Sequence, residues 1–286
     1  MSRDTIHIEG VKLGYEAPVL FDRQPVGGEY GAKWGEVGRG VSMTLFFPEG
    51  QSKATIIDER VFTDERNTLV TYHNPLDTTH HMAHHFFKRC LEANVTPYIV
   101  TKKTVFQWQE SFWGIMKEVF DAHYKEAFTS QGLLEKTDGR LAHLISDAAT
   151  MKLVRWRCGG FGMAAHNYDA DMLTDEMSQI HKSPGFIMST LLGKTKGGDV
   201  IKQFEASHGT AADLWKAHRA GESTSFVPLG LVEALTNAIC YAEEIGEQRK
   251  EVVEFAHALR AACHRVVKED AMETEAFVQT MAKYMR

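Results

Sequence analysis

The sequence predicts an α/β fold with an antiparallel hairpin inserted near its start. Three observations predict it. β-rich runs alternate with segments of helical period, a Pro-Glu-Gly turn joins two of those runs, and the largely apolar Pro97-Tyr-Ile-Val-Thr101 lies between helical patterns as a buried strand does. At 286 residues and 43% hydrophobic, the chain is long enough to bury the core of one or two domains.

Taken in order, the first forty residues are rich in glycine and weakly periodic around Pro25-Val-Gly-Gly-Glu-Tyr-Gly31, and read as extended segments and turns. Residues 41–47 and 53–62 read as strands, closed into a hairpin by Pro48-Glu-Gly50, and Thr68 to Tyr72 is another short β-rich run. From Leu76 the period changes: with Asp77 as N-cap, Met82, Phe86, Phe87, Cys90 and Leu91 recur at helical spacing up to Asn94. After the strand ending at Lys102, helices are expected over 109–128 and 139–155, then a strand from Gly159 and a helix from Tyr168 to Ile180. Pro184-Gly185 breaks the chain, strand or helix follows to Glu205, and the stretch from Leu229 onward is mostly helical.

A net charge of −6, with both signs interleaved, excludes a phosphate-neutralising surface and hence a nucleic-acid partner. Cys90, Cys158, Cys240 and Cys263 are widely spaced, which suits reduced thiols better than a disulfide framework or a zinc knuckle. No apolar run reaches the length of a membrane span, and the first residues carry early acids and no apolar leader core.

Three segments carry chemistry. In Asn167-Tyr-Asp-Ala-Asp-Met-Leu-Thr-Asp175, a helix sets Asp171 and Asp175 one turn apart on one face, with Asp169 just before them. Such hard oxygens suit Mg²⁺ or Mn²⁺, although acids also favour a helix N-terminus through its dipole. Glu205-Ala-Ser-His-Gly-Thr210 offers backbone N–H groups and a hydroxyl to a nucleotide, or is an ordinary glycine turn. Lys102 and Lys103 stand at the carboxyl end of a buried strand, where a lysine can exchange protons or hold a carboxylate, or simply be a solvated strand end. His80, His81, His84 and His85 pair at i,i+4 with no acidic or cysteine third ligand nearby, and read as a polar helix face.

Together and in order, Tyr98-Ile-Val-Thr-Lys-Lys-Thr104, Gly159-Gly-Phe161, Asn167-Tyr-Asp-Ala-Asp171, Glu205-Ala-Ser-His-Gly-Thr210 and Gly221-Glu-Ser-Thr-Ser225 resemble the eukaryotic-type NADP-dependent isocitrate dehydrogenases, from about Pro25 to Met281. The resemblance implies an isocitrate/isopropylmalate dehydrogenase-like fold with an incomplete large domain. Its parts are an N-terminal extended segment over 1–31, a β-hairpin clasp over 32–80 that dimerises the protein, a small α/β domain over 81–181, and the C-terminal part of the large domain over 182–286. It implies metal ligation by Asp171 and Asp175, with Asp147 beside the position of a third aspartate. It also implies a catalytic Lys102 lent to a neighbouring subunit, and a cofactor lined by His208, Gly209 and Thr210.

Departures from the family pattern modify those implications. The family segment Gly-Arg-His-Ala-Tyr-Gly-Asp-Gln-Tyr, laid on Val26 to Trp34, sets Gly27 under a substrate arginine and Trp34 under a tyrosine. Asp213 falls where the NADP 2′-phosphate is held, so the cofactor expected is NAD rather than NADP, or no nucleotide at all. A tricarboxylate without guanidinium partners loses its charge-assisted bonds. The first expectation is therefore a non-catalytic structural or accessory subunit of a larger assembly in the mitochondrial matrix, with a cytoplasmic location as the alternative. Other protein chains would cover a sheet face and edge left bare by missing strands. The second expectation is one subunit of a heteromeric NAD-dependent isocitrate dehydrogenase, and under either expectation the chain dimerises through the clasp, as a homodimer or a heterodimer. It would lend Lys102 to a partner's active site for oxidative decarboxylation of isocitrate to 2-oxoglutarate.

Overall fold

The structure is a computed structural model that describes residues 1–195, 197–269 and 273–286. The chain divides into two compact units, one of residues 1–25 with 76–286 and one of residues 26–75.

The first unit is built on a seven-stranded sheet. Two short strands, β1 (Ser2–Thr5) and β2 (Val19–Arg23), come from the stretch expected to be turns. In the second unit β3 (Lys33–Val37), β4 (Gly40–Phe46), β5 (Thr55–Phe62) and β6 (Asn67–Thr71) form two antiparallel pairs, β3 with β6 and β4 with β5. The hairpin expected from Pro48-Glu-Gly50 is the β4–β5 pair.

The chain then alternates. Helix α1 (Asp77–Glu92) leads to β7 (Thr96–Thr101), then α2 (Glu110–His123) and α3 (Lys125–Ser130). Next come β8 (Ala142–Ile145), α4 (Ser146–Arg155), β9 (Phe161–Ala165) and α5 (Asn167–His181). A hairpin of β10 (Ile187–Lys194) and β11 (Val200–Ala206) precedes α6 (Ala212–Arg219), α7 (Leu229–Ile245), α8 (Lys250–Lys268) and α9 (Thr274–Tyr284).

The sheet order is β11-β10-β1-β2-β9-β7-β8, parallel from β2 to β8 and antiparallel from β2 to β11. Alternation along each central strand divides its side chains between two layers. Leu20, Ile99 and Ala164 pack with Phe86, Phe112, Phe120 and Phe128 of α1 to α3. Phe21, Val100 and Met163 pack with Ala149 and Leu153 of α4 and Leu173 and Met177 of α5. At β2, β9 and β7 the chain's own helices therefore cover both sides of the sheet. β1 and β2 lie inside the sheet, and its edges are β8 and β11, the latter in the stretch expected to be large domain.

Three further expectations are corrected. The helix expected over 139–155 begins only at Ser146, because Ala142-His-Leu-Ile145 pairs in parallel with β7. The one expected over 109–128 is two helices, divided at Tyr124, which leaves the helical region at φ −124°. Asp77 is the first helical residue, preceded by Leu76 at the N-cap. Gly159 opens the turn into β9 with φ +67°, and a Cβ there would lie 2.0 Å from the carbonyl oxygen of Ala17, so the turn admits only glycine.

Candidate active site

The parallel strands bring their carboxyl ends to one side of the sheet, and the chemistry-bearing residues follow those ends. Arg23 closes β2, Lys102 follows β7, Asp147 follows β8, and Asn167 with the aspartate helix follows β9.

Around α5, Asp171 is met by two guanidinium groups that the sequence reading overlooked. Arg23 ion-pairs with Asp171 and donates from Nε to Asn167 Oδ1 at 2.7 Å. Arg3 reaches Asp171 at 3.4 Å, Asp175 at 3.2 Å and Thr174 Oγ1 at 2.7 Å. Both arginine side chains are largely buried, at 14% and 12% exposure, whereas Asp175 is 76% exposed. Two largely buried cations therefore stand behind two carboxylates, one of which is open to solvent. The sequence places no arginine beside these carboxylates, and the fold brings two there.

The overlooked signal was one of frame. Laid four residues earlier, the family segment matches Asp22-Arg-Gln-Pro-Val-Gly-Gly-Glu-Tyr30 and sets Arg23, Gly27 and Tyr30 on its arginine, second glycine and last tyrosine. Backbone geometry agrees with that frame. Gly27 has φ +85°, and a Cβ there would lie 2.6 Å from Pro75 Cδ and 2.7 Å from the carbonyl oxygen of His73, so no arginine could occupy it.

At the end of β7, Lys102 ion-pairs with Asp147, and this hydrogen bond holds the Asp147 carboxyl below the usual carboxylate range. Lys103 turns aside to Glu110 at 2.9 Å and lies 5.1 Å over the Trp113 ring. Thr101 hydrogen-bonds His143 at 2.7 Å. Among the described residues no group of three His, Cys, Asp or Glu could hold a metal ion. Asp147 therefore does not join Asp171 and Asp175 within one chain; it belongs with Lys102. The α1 histidines do not converge either, and His84 is engaged with the Tyr124 hydroxyl at 3.0 Å. All four cysteines are free.

Following β11, His208, Gly209 and Thr210 line a cavity of about 630 Å³. Leu214, Trp215 and Phe226 give it apolar walls, and His208 meets Phe226 edge-on at 5.0 Å. These wall residues were not singled out from the sequence. Asp213 does not line the cavity; it projects fully exposed from the first turn of α6, 3.7 Å from Lys216.

The molecule is thus a three-layer α/β protein with paired carboxylates and arginines at the ends of its strands. The chain belongs to the isocitrate/isopropylmalate dehydrogenase family, whose model matches residues 43–285. It is 54% identical over 279 residues to a mitochondrial isocitrate dehydrogenase [NAD(+)] 1 of Phaeodactylum tricornutum, covering 94% of this chain and 51% of that one. It is 51% identical over 297 residues to the mitochondrial NAD(+) isocitrate dehydrogenase of Ostreococcus tauri, covering 99% and 63%. An isocitrate dehydrogenase [NADP] 1 of Mycobacterium tuberculosis is 27% identical over 260 residues, covering 91% and 61%. The crystal structure of isocitrate dehydrogenase from Ostreococcus tauri in complex with isocitrate and magnesium(II) superposes with a TM-score of 0.93 at 50% identity, covering 99% of this chain and 73% of that one. The chain thus spans between half and two thirds of the length of these curated relatives. Those above 50% identity are named for NAD(+), not for the NADP that the sequence resemblance suggested.

Proposed function

We propose that this chain is a working subunit of a mitochondrial NAD-dependent isocitrate dehydrogenase, which converts isocitrate and NAD⁺ to 2-oxoglutarate, CO₂ and NADH. The observation that carries this reading is the pair Arg3 and Arg23 behind Asp171. The non-catalytic expectation rests in part on an absence of substrate arginines, and two arginines are paired with these carboxylates.

The donor set suits a hard divalent cation. Asp171 and Asp175 supply two oxygens on one helix face, and Mg²⁺ or Mn²⁺ completes its shell from water and substrate. Such an ion, if held by Asp171 and Asp175, would supply Lewis-acid polarisation of substrate oxygens. Arg3 and Arg23 are placed to receive substrate carboxylates in fork geometry. Lys102 carries an exchangeable proton at Nζ and is ion-paired with Asp147, a pairing that substrate would displace.

The site is completed by a second chain. Met151 and Val154 on α4 and Tyr168 and Met172 on α5 are exposed, forming an apolar surface on the two helices that carry Asp147 and Asp171. A second copy packed there would bring its Lys102 and Asp147 toward Asp171 and Asp175. The 26–75 unit offers further exposed apolar strand residues, Val41, Met43, Ile57 and Val61 among them, for dimerisation. The cavity at His208 to Thr210 receives the nucleotide, with Asp213 outside it disfavouring a 2′-phosphate.

The test is NADH formation by the purified chain with isocitrate and Mg²⁺, against NADP⁺ and against metal chelation. Metal-dependent turnover preferring NAD⁺ is expected. Isocitrate that neither turns over nor raises the melting temperature in the presence of Mg²⁺ would return the chain to the accessory reading.

A further inference from the structure

Between Lys102 and the aspartate helix lies a buried amide that nothing above employs. We propose that Gln109 is the positioning residue for Lys102, anchoring its backbone to the start of α5 and so linking the two halves of the site that one chain contributes. The inference deepens the dehydrogenase reading and rests on it for the role of Lys102.

Lys102 lies one residue beyond the last β7–β8 pair, Thr101 with Ile145, so its N–H has no ladder partner. That N–H donates to Gln109 Oε1. The Lys102 carbonyl accepts from Val105 and Phe106 at 2.9 and 2.8 Å, closing a tight turn. Gln109 in turn donates from Nε2 to Asp169 Oδ2 at 3.3 Å, on the first turn of α5. The amide is 2% exposed, so each of its ends has to find a partner in the fold.

Packing fixes the amide where it is. The residues flanking it grip His166, which immediately precedes α5: Trp108 at 5.0 Å edge-on and Phe112 at 4.4 Å. His166 is 5% exposed, and neither ring nitrogen has a hydrogen-bond partner among the described residues, so it serves here as an apolar plug. The turn from Phe106 to Phe112 is thereby pinned to the β9–α5 junction by two rings and one amide. The Lys102 side chain is 23% exposed, and its direction toward Asp147 depends on where this turn holds its backbone. Lys102 serves a neighbouring chain's site while Asp171 and Asp175 serve their own, so the Gln109 amide spans two sites.

Gln109→Met keeps the side-chain length and removes both hydrogen bonds. Misplacing a reacting amine by about an ångström costs on the order of 100-fold in turnover. In Gln109→Met, kcat should fall about 10- to 100-fold while KM for isocitrate moves less than about threefold. Competitive acetylation read by peptide mass spectrometry gives a measure independent of activity. Lys102, released from Asp147, should label about threefold faster or more relative to the exposed Lys88. Asp169→Leu cuts the other end of the link and should reproduce that labelling change, with the double variant no worse than either single one. It also stands in should Gln109→Met not fold. Unchanged Lys102 labelling with unchanged kcat would overturn the proposal. A wild-type chain without turnover whose Lys102 labelling still responds to Gln109→Met would sink the dehydrogenase reading and leave the link standing.

Discussion

Asp171 is the residue on which the site converges, because both guanidinium groups lean on it from different strands. Arg23 also holds Asn167, which a lysine's single ammonium could not do with the same fork. Arg23→Lys is therefore expected to raise KM for isocitrate about tenfold or more with a smaller effect on KM for NAD⁺, as steady-state kinetics at saturating Mg²⁺ would measure. Three histidines make the fold acid-sensitive. His7, His85 and His166 are each held down to about 4 by burial, against the ordinary 6.5. Between pH 6.5 and 4 the unfolded chain binds protons that the folded chain refuses, so stability is full above that window and is lost as pH falls through it. His166→Phe removes one of the three, and the drop in melting temperature from pH 7 to pH 5 should be smaller in that variant than in wild type.

At the scale of elements, β1 and β2 are held in the sheet by a buried ionic staple from α1. Arg89 pairs with Asp4 of β1 and Asp22 of β2, and Asp22 is 2% exposed. Arg89→Met would strip both acids of the guanidinium between them, at a cost of about 3–5 kcal/mol. Urea unfolding should show the midpoint falling with little change in m-value. Here too lies the boundary of what the sequence makes legible. The hairpin, α1, β7 and α5 announce themselves through turn residues and period. The strands β1 and β2 do not: each is four or five residues long and set among glycines, too short for alternation to register. The Ala142-His-Leu-Ile145 strand runs directly into α4 without a breaking residue, so its apolar run reads as part of the helix. The aspartates, Lys102 and the His-Gly-Thr turn were readable because their spacing is chemical. Arg3 and Arg23 were not, since a sheet register rather than sequence proximity brings them to α5, and a frame displaced by four residues concealed Arg23.

At the scale of the whole molecule, one chain contributes parts to two sites on the proposed reading. Asp171 and Asp175 with two arginines form one part, and Lys102 with Asp147 the other, with no three-ligand metal group among the described residues. Exposed apolar residues on α4 and α5, beside Asp147 and Asp171, suit a symmetric second copy that pairs unlike parts. The most direct measurement of this claim is complementation between two chains, Lys102→Met and Asp175→Asn, each assayed alone and after co-assembly. Each alone should be inactive. Random pairing makes half the dimers mixed, and each mixed dimer has one intact site of two, so about a quarter of wild-type activity should return. Activity after co-assembly no greater than the sum of the two chains alone would contradict a site shared between subunits.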